Sequence, residues 1–142
     1  TNPEYGISVE TLKDPRVRVV HDDIVNVLRD HAGQFDAIML DTDNGPDGMI
    51  MSENARLYAQ RGIATTVAAL RPPGIISYWS VGDDPAFAHA LRGSGLLVET
   101  LRVRAHDTKG PMHTLYVARP RPLRRAGQSP NTAADGWAFS LP

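Results

Sequence analysis

The chain contains no cysteine. That excludes a disulfide framework, thiol catalysis and cysteine-based zinc sites, and it suits a reducing compartment, so the expected location is cytoplasmic. An excess of one charge is missing too: 15 basic residues face 16 acidic ones, for a formal net charge of −1. No overall field therefore draws the chain toward nucleic acid or an anionic membrane surface. Long apolar runs are also lacking. None approaches the 18 or so residues of a membrane span, and "TNPEYG" at the start has neither the charged beginning nor the apolar centre of a signal peptide. Histidine is sparse as well. His21, His31, His89, His106 and His113 fall in no HxH or HExxH spacing, so no metal is expected.

What is present fits one α/β domain. A chain of 142 residues can bury a core, with about 68–70% of its unfolded surface lost on folding. "RVRVV" over Arg16–Val20 reads as a strand entering a buried sheet. Ile24, Val27, Leu28 and Ala32 follow at helical spacing, with Asp23 as N-cap and Gly33 as the stop. Phe35–Leu40 is a strand too continuously apolar to have one wet face. A longer helix opens at Ser52 and runs to "RPPG", with Leu57, Tyr58, Ile63, Val67 and Leu70 on its buried side and a possible interruption at Gly62.

Ile75–Val81 is the next strand, "DDPAFAHALRGSG" a helix beginning with acid and proline, and Leu97–Ala105 and His113–Ala118 two strands joined without a helix. Strands alternating with helices and closing in a hairpin predict an open, mostly parallel Rossmann-like sheet with one antiparallel strand near an edge. Tyr5, Ile7 and Val9 alternate as in a further short strand. Residues 1–119 make up the domain, and 120–142 read as a Pro-, Arg- and Gly-rich tail that Trp137 and Phe139 could dock.

In such sheets ligands bind beyond the carboxyl ends of the strands. Three expected strands end in acid there: His21-Asp22-Asp23, Asp41-Thr42-Asp43 and Gly82-Asp83-Asp84. Helix capping accounts for the first and third of these more readily than function does. "LDTDNGPDG" over 40–48 is different. Asn-Gly and Pro-Asp-Gly suit a turn, but Asp41 and Asp43 come before it and repel each other unless a cation or a shared proton intervenes. A carboxylate so placed can accept from an amino group and act as a general base. Tyr78 and Trp79, near a strand end, suit either the core or a ligand stack.

The order of "DPRVRVVHDDIVNVL", "FDAIMLDTDNGPDG" and "LYAQRGIATTVAALRPPGIISYW" resembles the later half of spermidine synthases and their spermidine-synthase-like relatives, a branch of the S-adenosylmethionine-dependent methyltransferase fold. The resemblance spans about Asp14 to Arg119. It implies that Asp23 faces the adenine amino group, with Asp22 where a glycine is usual. It also implies that Asp41 is the base toward an amine substrate and that Asp43 approximates the second, amine-binding acid; Trp79, by its place near a strand end, is the further substrate-binding candidate. The loop is one residue shorter between its acids than the family's "DSSD". "WSVGD" stands where a glutamine is expected.

The implied cofactor is S-adenosylmethionine or its decarboxylated form and the partner a small-molecule amine; a homodimer, or else a rearranged hairpin, is expected from the open apolar edge of the Phe35–Leu40 strand. A methyltransferase acting on another small molecule, and a non-catalytic scaffold that kept the sheet, are the alternatives. The family's opening strand, its G-x-G-x-G loop and its second strand have no counterpart before "DPRVRVV". The sheet is accordingly expected to lack its first two strands, with Phe35–Leu40 left as an open edge.

Overall fold

The computed structural model describes residues 12–41, 55–104 and 110–121. The expected strand over Tyr5–Val9, the loop from Thr42 to Gly48 with Asp43, and the tail with Trp137 and Phe139 lie outside them. The described elements are α1 (Ile24–Asp30), β1 (Phe35–Leu40), α2 (Ala55–Tyr58), α3 (Gln60–Ala69), β2 (Leu70–Ser80), α4 (Pro85–Gly93), β3 (Leu96–Arg104) and β4 (Met112–Pro120). Among the described residues the sheet has four strands in the order β1-β2-β4-β3. β1 is parallel to β2, and β4 is antiparallel to both β2 and β3, so β4 alone runs against the others. The fold class is the expected one.

Local chemistry fixes the helix ends. Asp23 caps α1 by accepting from the Val25 N–H at 2.8 Å, and Gly33 (φ 66°) turns the chain back so that its own N–H reaches the Ala68 carbonyl at 2.8 Å. Asp84 caps α4 through the Phe87 N–H at 2.9 Å, with Pro85 in the first turn.

All the described helices feed one core. Leu28, Leu57, Ile63, Phe87 and Leu91 pack with Ile38, Leu40, Ile76, Tyr78, Tyr116 and Ala118 on a single face of the sheet. Phe87 stands at its centre, edge-on to Tyr58, Tyr78 and Tyr116 at centroid separations of 5.1, 5.0 and 5.3 Å. Each such pair is worth about 0.5–1.5 kcal/mol beyond its burial. That single ring ties α4 to α2, β2 and β4.

Four expectations are corrected. Arg16–Val20 forms no strand: Val17, Val19 and Val20 are exposed, and Asp14 instead accepts from the Arg16 backbone N–H and guanidinium while its carbonyl takes the Val17 N–H, a local turn that competes with sheet pairing. β1 is not covered on both faces. Ile38 and Leu40 are buried, but Met39 is 83% exposed and Ala37 is open, because no described helix lies on their side.

The long helix breaks at Ala59 rather than at Gly62, and its partner strand takes over at Leu70, which pairs with Phe35. Gly62 lies inside α3, where an added Cβ would sit 2.1 Å from the Arg56 carbonyl oxygen and 2.5 Å from that of Leu57, so the α2–α3 corner closes only over glycine. "RPPG" accordingly belongs to β2 instead of ending the helix.

Candidate functional site

The topology brings the acidic segments to one end of the sheet. β1 and β2 are parallel and end side by side, Leu40 opposite Tyr78, so Asp41 and the Val81–Asp84 segment leave from the same rim. β4 begins there, with Thr114 opposite Ser80. α1 runs back toward the start of β1, and α4 runs back from the end of β2, so the capped N-termini carrying Asp22, Asp23 and Asp84 face that rim as well. Asp22, Asp23, Asp41 and Asp83 are all exposed.

Each acid has its own surroundings. Asp23 accepts from Val25 N–H with one oxygen and from the Arg56 guanidinium at 3.2 Å with the other, which ties α1 to α2. Asp22 accepts from the Asp23 N–H at 2.7 Å and from the Asn26 amide at 3.3 Å. A carboxylate has about four lone-pair sites, so both keep acceptor capacity for a ligand amino group. Asp41 directly follows β1.

Sequence reasoning missed Tyr116. Its ring is fully buried, its hydroxyl accepts the Asp84 backbone N–H, and the same hydroxyl donates toward Asp83 at 3.2 Å. Burial pushes its pKa up; the Asp84 N–H opposes that, and Asp83 and Asp84 add to it. "HTLYVA" signals only an alternating strand, and nothing in it points to partners more than thirty positions upstream. Arg56 was likewise invisible as the partner of Asp23.

Trp79 lies on the sheet face away from the helices. It stacks on His113 with centroids 4.8 Å apart and planes 27° apart. The His113 Nδ1 and the Thr114 hydroxyl are buried without a hydrogen-bond partner among the described residues. Tyr78, by contrast, is core. Among the described residues no three His, Asp or Glu side chains converge as a metal site would require, and no helix is long and apolar enough to cross a membrane.

No protein-family model and no curated protein matches this sequence. A solved structure does: the precorrin-6y C5,15-methyltransferase of Geobacter metallireducens superposes with a TM-score of 0.56 at 21% identity. This is a methyltransferase-type fold. The match covers 84% of this chain and 63% of the other, so this chain spans less than two thirds of that methyltransferase. At that identity the likeness concerns architecture.

Proposed function

We propose that the protein is an S-adenosylmethionine-type transferase of the spermidine-synthase-like kind, moving an aminopropyl or methyl group to a small amine or similar nucleophile. The observation that carries this reading is the position of Asp41: it leaves the carboxyl end of β1, parallel to β2, on the rim that also holds the α1 N-terminus with Asp22 and Asp23. Exposed acids at that rim fit the adenine amino group as acceptors. Among the described residues no glycine-rich strand-to-helix turn is present to approach the rest of the cofactor.

When bound, S-adenosylmethionine or its decarboxylated form supplies a carbon activated by the adjoining sulfonium. That carbon would take the lone pair of the substrate nitrogen, with the sulfur as leaving group in the form of a neutral thioether. The nitrogen's proton goes to the Asp41 carboxylate. Asp43 and Trp79 orient the amine, and Asp22 and Asp23 hold adenine.

The test is formation of the thioether product from either cofactor with putrescine as acceptor. Asp41→Asn should lower turnover by about 10²–10⁴, the usual range for a lost general base, with the melting temperature unchanged. Equal turnover in parent and variant would overturn the assignment of Asp41. A second reading, a non-catalytic scaffold, is favoured by one observation: both Asp23 oxygens already serve the α1 cap and Arg56. Absence of any thioether from the parent would support it.

A further inference from the structure

The helix side of the sheet is not covered evenly. α4 packs in one core with Leu96 and Val98 at the start of β3 and with Tyr116 in β4. The rest of β3 emerges beyond that cover: Thr100, Arg102 and Arg104 lie on the same side of the sheet and are all exposed.

Register fixes their neighbours. Thr114 of β4 stands between Ser80 of β2 and Arg102 of β3, and Met112 stands beside Arg104. Directly opposed residues of antiparallel strands share a face, with Cβ atoms roughly 4.5–5.5 Å apart, so Arg102 lies within side-chain reach of Thr114. Ser80 ends β2. Arg104, two positions past Arg102, therefore stands one row beyond the end of β2.

Thr114 is 1% exposed, and its hydroxyl has no hydrogen-bond partner among the described residues. A valine of the same shape would fill that position without burying an unpaired oxygen. Arg102 and Arg104 enter no ion pair among the described residues. Charge on an edge strand also discourages pairing with a further strand. That role is served from either face of β3, and it leaves the Thr114 hydroxyl unexplained.

The rim thus changes sign along its length. Asp41 and Asp83 stand at the ends of β1 and β2, and the two arginines stand at the end of β3, two strand spacings or about 10 Å beyond β2. Guanidinium groups take carboxylates and phosphates through paired N–H donors, and a hydroxyl adds one donor more.

We propose that Arg102, Arg104 and the Thr114 hydroxyl form an oxyanion site at the β3 corner of the rim, and that the acceptor of the transferase carries a carboxylate or phosphate at the end away from its nucleophilic nitrogen. The amine then lies among the acids at β1 and β2 and the anionic group at β3, so the two ends of the rim set the direction of the acceptor. The acceptor class rests on the transferase reading; the oxyanion site does not.

The probes are 4-aminobutyrate and 3-aminopropyl phosphate, each an amine with one anionic end, beside putrescine, which has an amine at both ends. Each is titrated into the isotopically labelled full chain at constant ionic strength while backbone amide shifts are followed. The expected result is saturable movement of the Arg102, Arg104 and Thr114 amides with at least one anionic probe and none with putrescine, and the tighter probe decides between carboxylate and phosphate. Arg102→Gln with Arg104→Gln, both exposed, should weaken that binding about tenfold or more. Thr114→Val should weaken it too while holding or raising the melting temperature, a loss of affinity without loss of stability that a merely structural threonine would not produce. Equal shifts from putrescine would overturn the proposal, as would unchanged affinity in either variant, or no movement of these amides by either anionic probe at millimolar concentration. No cofactor enters the titration, so a chain that binds the anionic probes but forms no thioether loses the transferase reading alone. Thioether formed from putrescine as readily as from the anionic amines would overturn the acceptor class.

Discussion

The Tyr116 hydroxyl accepts the backbone N–H of Asp84, 32 residues upstream, and thereby fastens the N-terminus of α4 to the strand beneath it. Removing the hydroxyl leaves that N–H without its partner, and a half-buried unsatisfied donor costs about 1–3 kcal/mol. Tyr116→Phe should therefore lower unfolding free energy by about 1–2 kcal/mol in urea titrations. A change below a few tenths of a kcal/mol would show that water replaces the phenol without loss.

Tyr78 makes the opposite case. Its hydroxyl is buried with no hydrogen bond of ordinary geometry among the described residues, and burial pushes its pKa up to about 12, with the nearby Thr66 hydroxyl opposing and Tyr58 reinforcing. A phenol raised in the folded state contributes stability that is fully present below the unfolded value near 10 and is lost as pH climbs toward the folded one. Between pH 10 and 12 the parent should lose about 2–3 kcal/mol that Tyr78→Phe does not lose. At neutral pH the variant should match or slightly exceed the parent. Identical pH profiles for the two proteins would contradict the assignment.

Much of the fold was legible because its signals are local. Asp23 before an apolar helical period, Asp84-Pro85 before another, and the short Gly-Pro-containing sequence between β3 and β4 each carry their meaning within a few residues. The misreadings share the reverse property. Whether Val17, Val19 and Met39 are covered depends on a second layer and a neighbouring strand, which an apolar run cannot report. The capping roles of Asp23 and Asp84 were foreseeable; their ties to Arg56 and Tyr116 required the folded chain. Of the candidate site, the gathering of acids on one rim followed from strand and helix order, while Asp43 lies outside the described residues.

Gly62 and Gly93 should respond to alanine with opposite signs. At Gly62 the new methyl meets backbone oxygens of Arg56 and Leu57, which cannot swing aside as a side chain would, so a loss of about 2–3 kcal/mol is expected. At Gly93, the last residue of α4, nothing lies within 4 Å of an added Cβ, and the better helix former should add about 0.5–1 kcal/mol. Thermal and chemical denaturation of both variants checks the pair, and a neutral Gly62→Ala would mean that the α2–α3 corner is more compliant than its geometry indicates.

Asp23 can be divided into cap and charge. Asp23→Asn retains an acceptor for the Val25 N–H and should cost only a few tenths of a kcal/mol, whereas Asp23→Ala loses the cap and the Arg56 contact together, for about 1 kcal/mol. Equal losses in the two variants would place the value of the residue in its charge instead.

The acidic rim as the cofactor site is tested most directly by titrating S-adenosylmethionine into the isotopically labelled chain and following backbone amide shifts, which register even weak binding. Progressive, saturable shifts are expected at His21–Asp23, Leu40–Asp41 and Val81–Asp84, with Gln34, Gly95 and Arg119 at the far end of the sheet unmoved. Shifts centred on that far end, or none at any rim position up to millimolar cofactor, a binding free energy of about −4 kcal/mol, would contradict it.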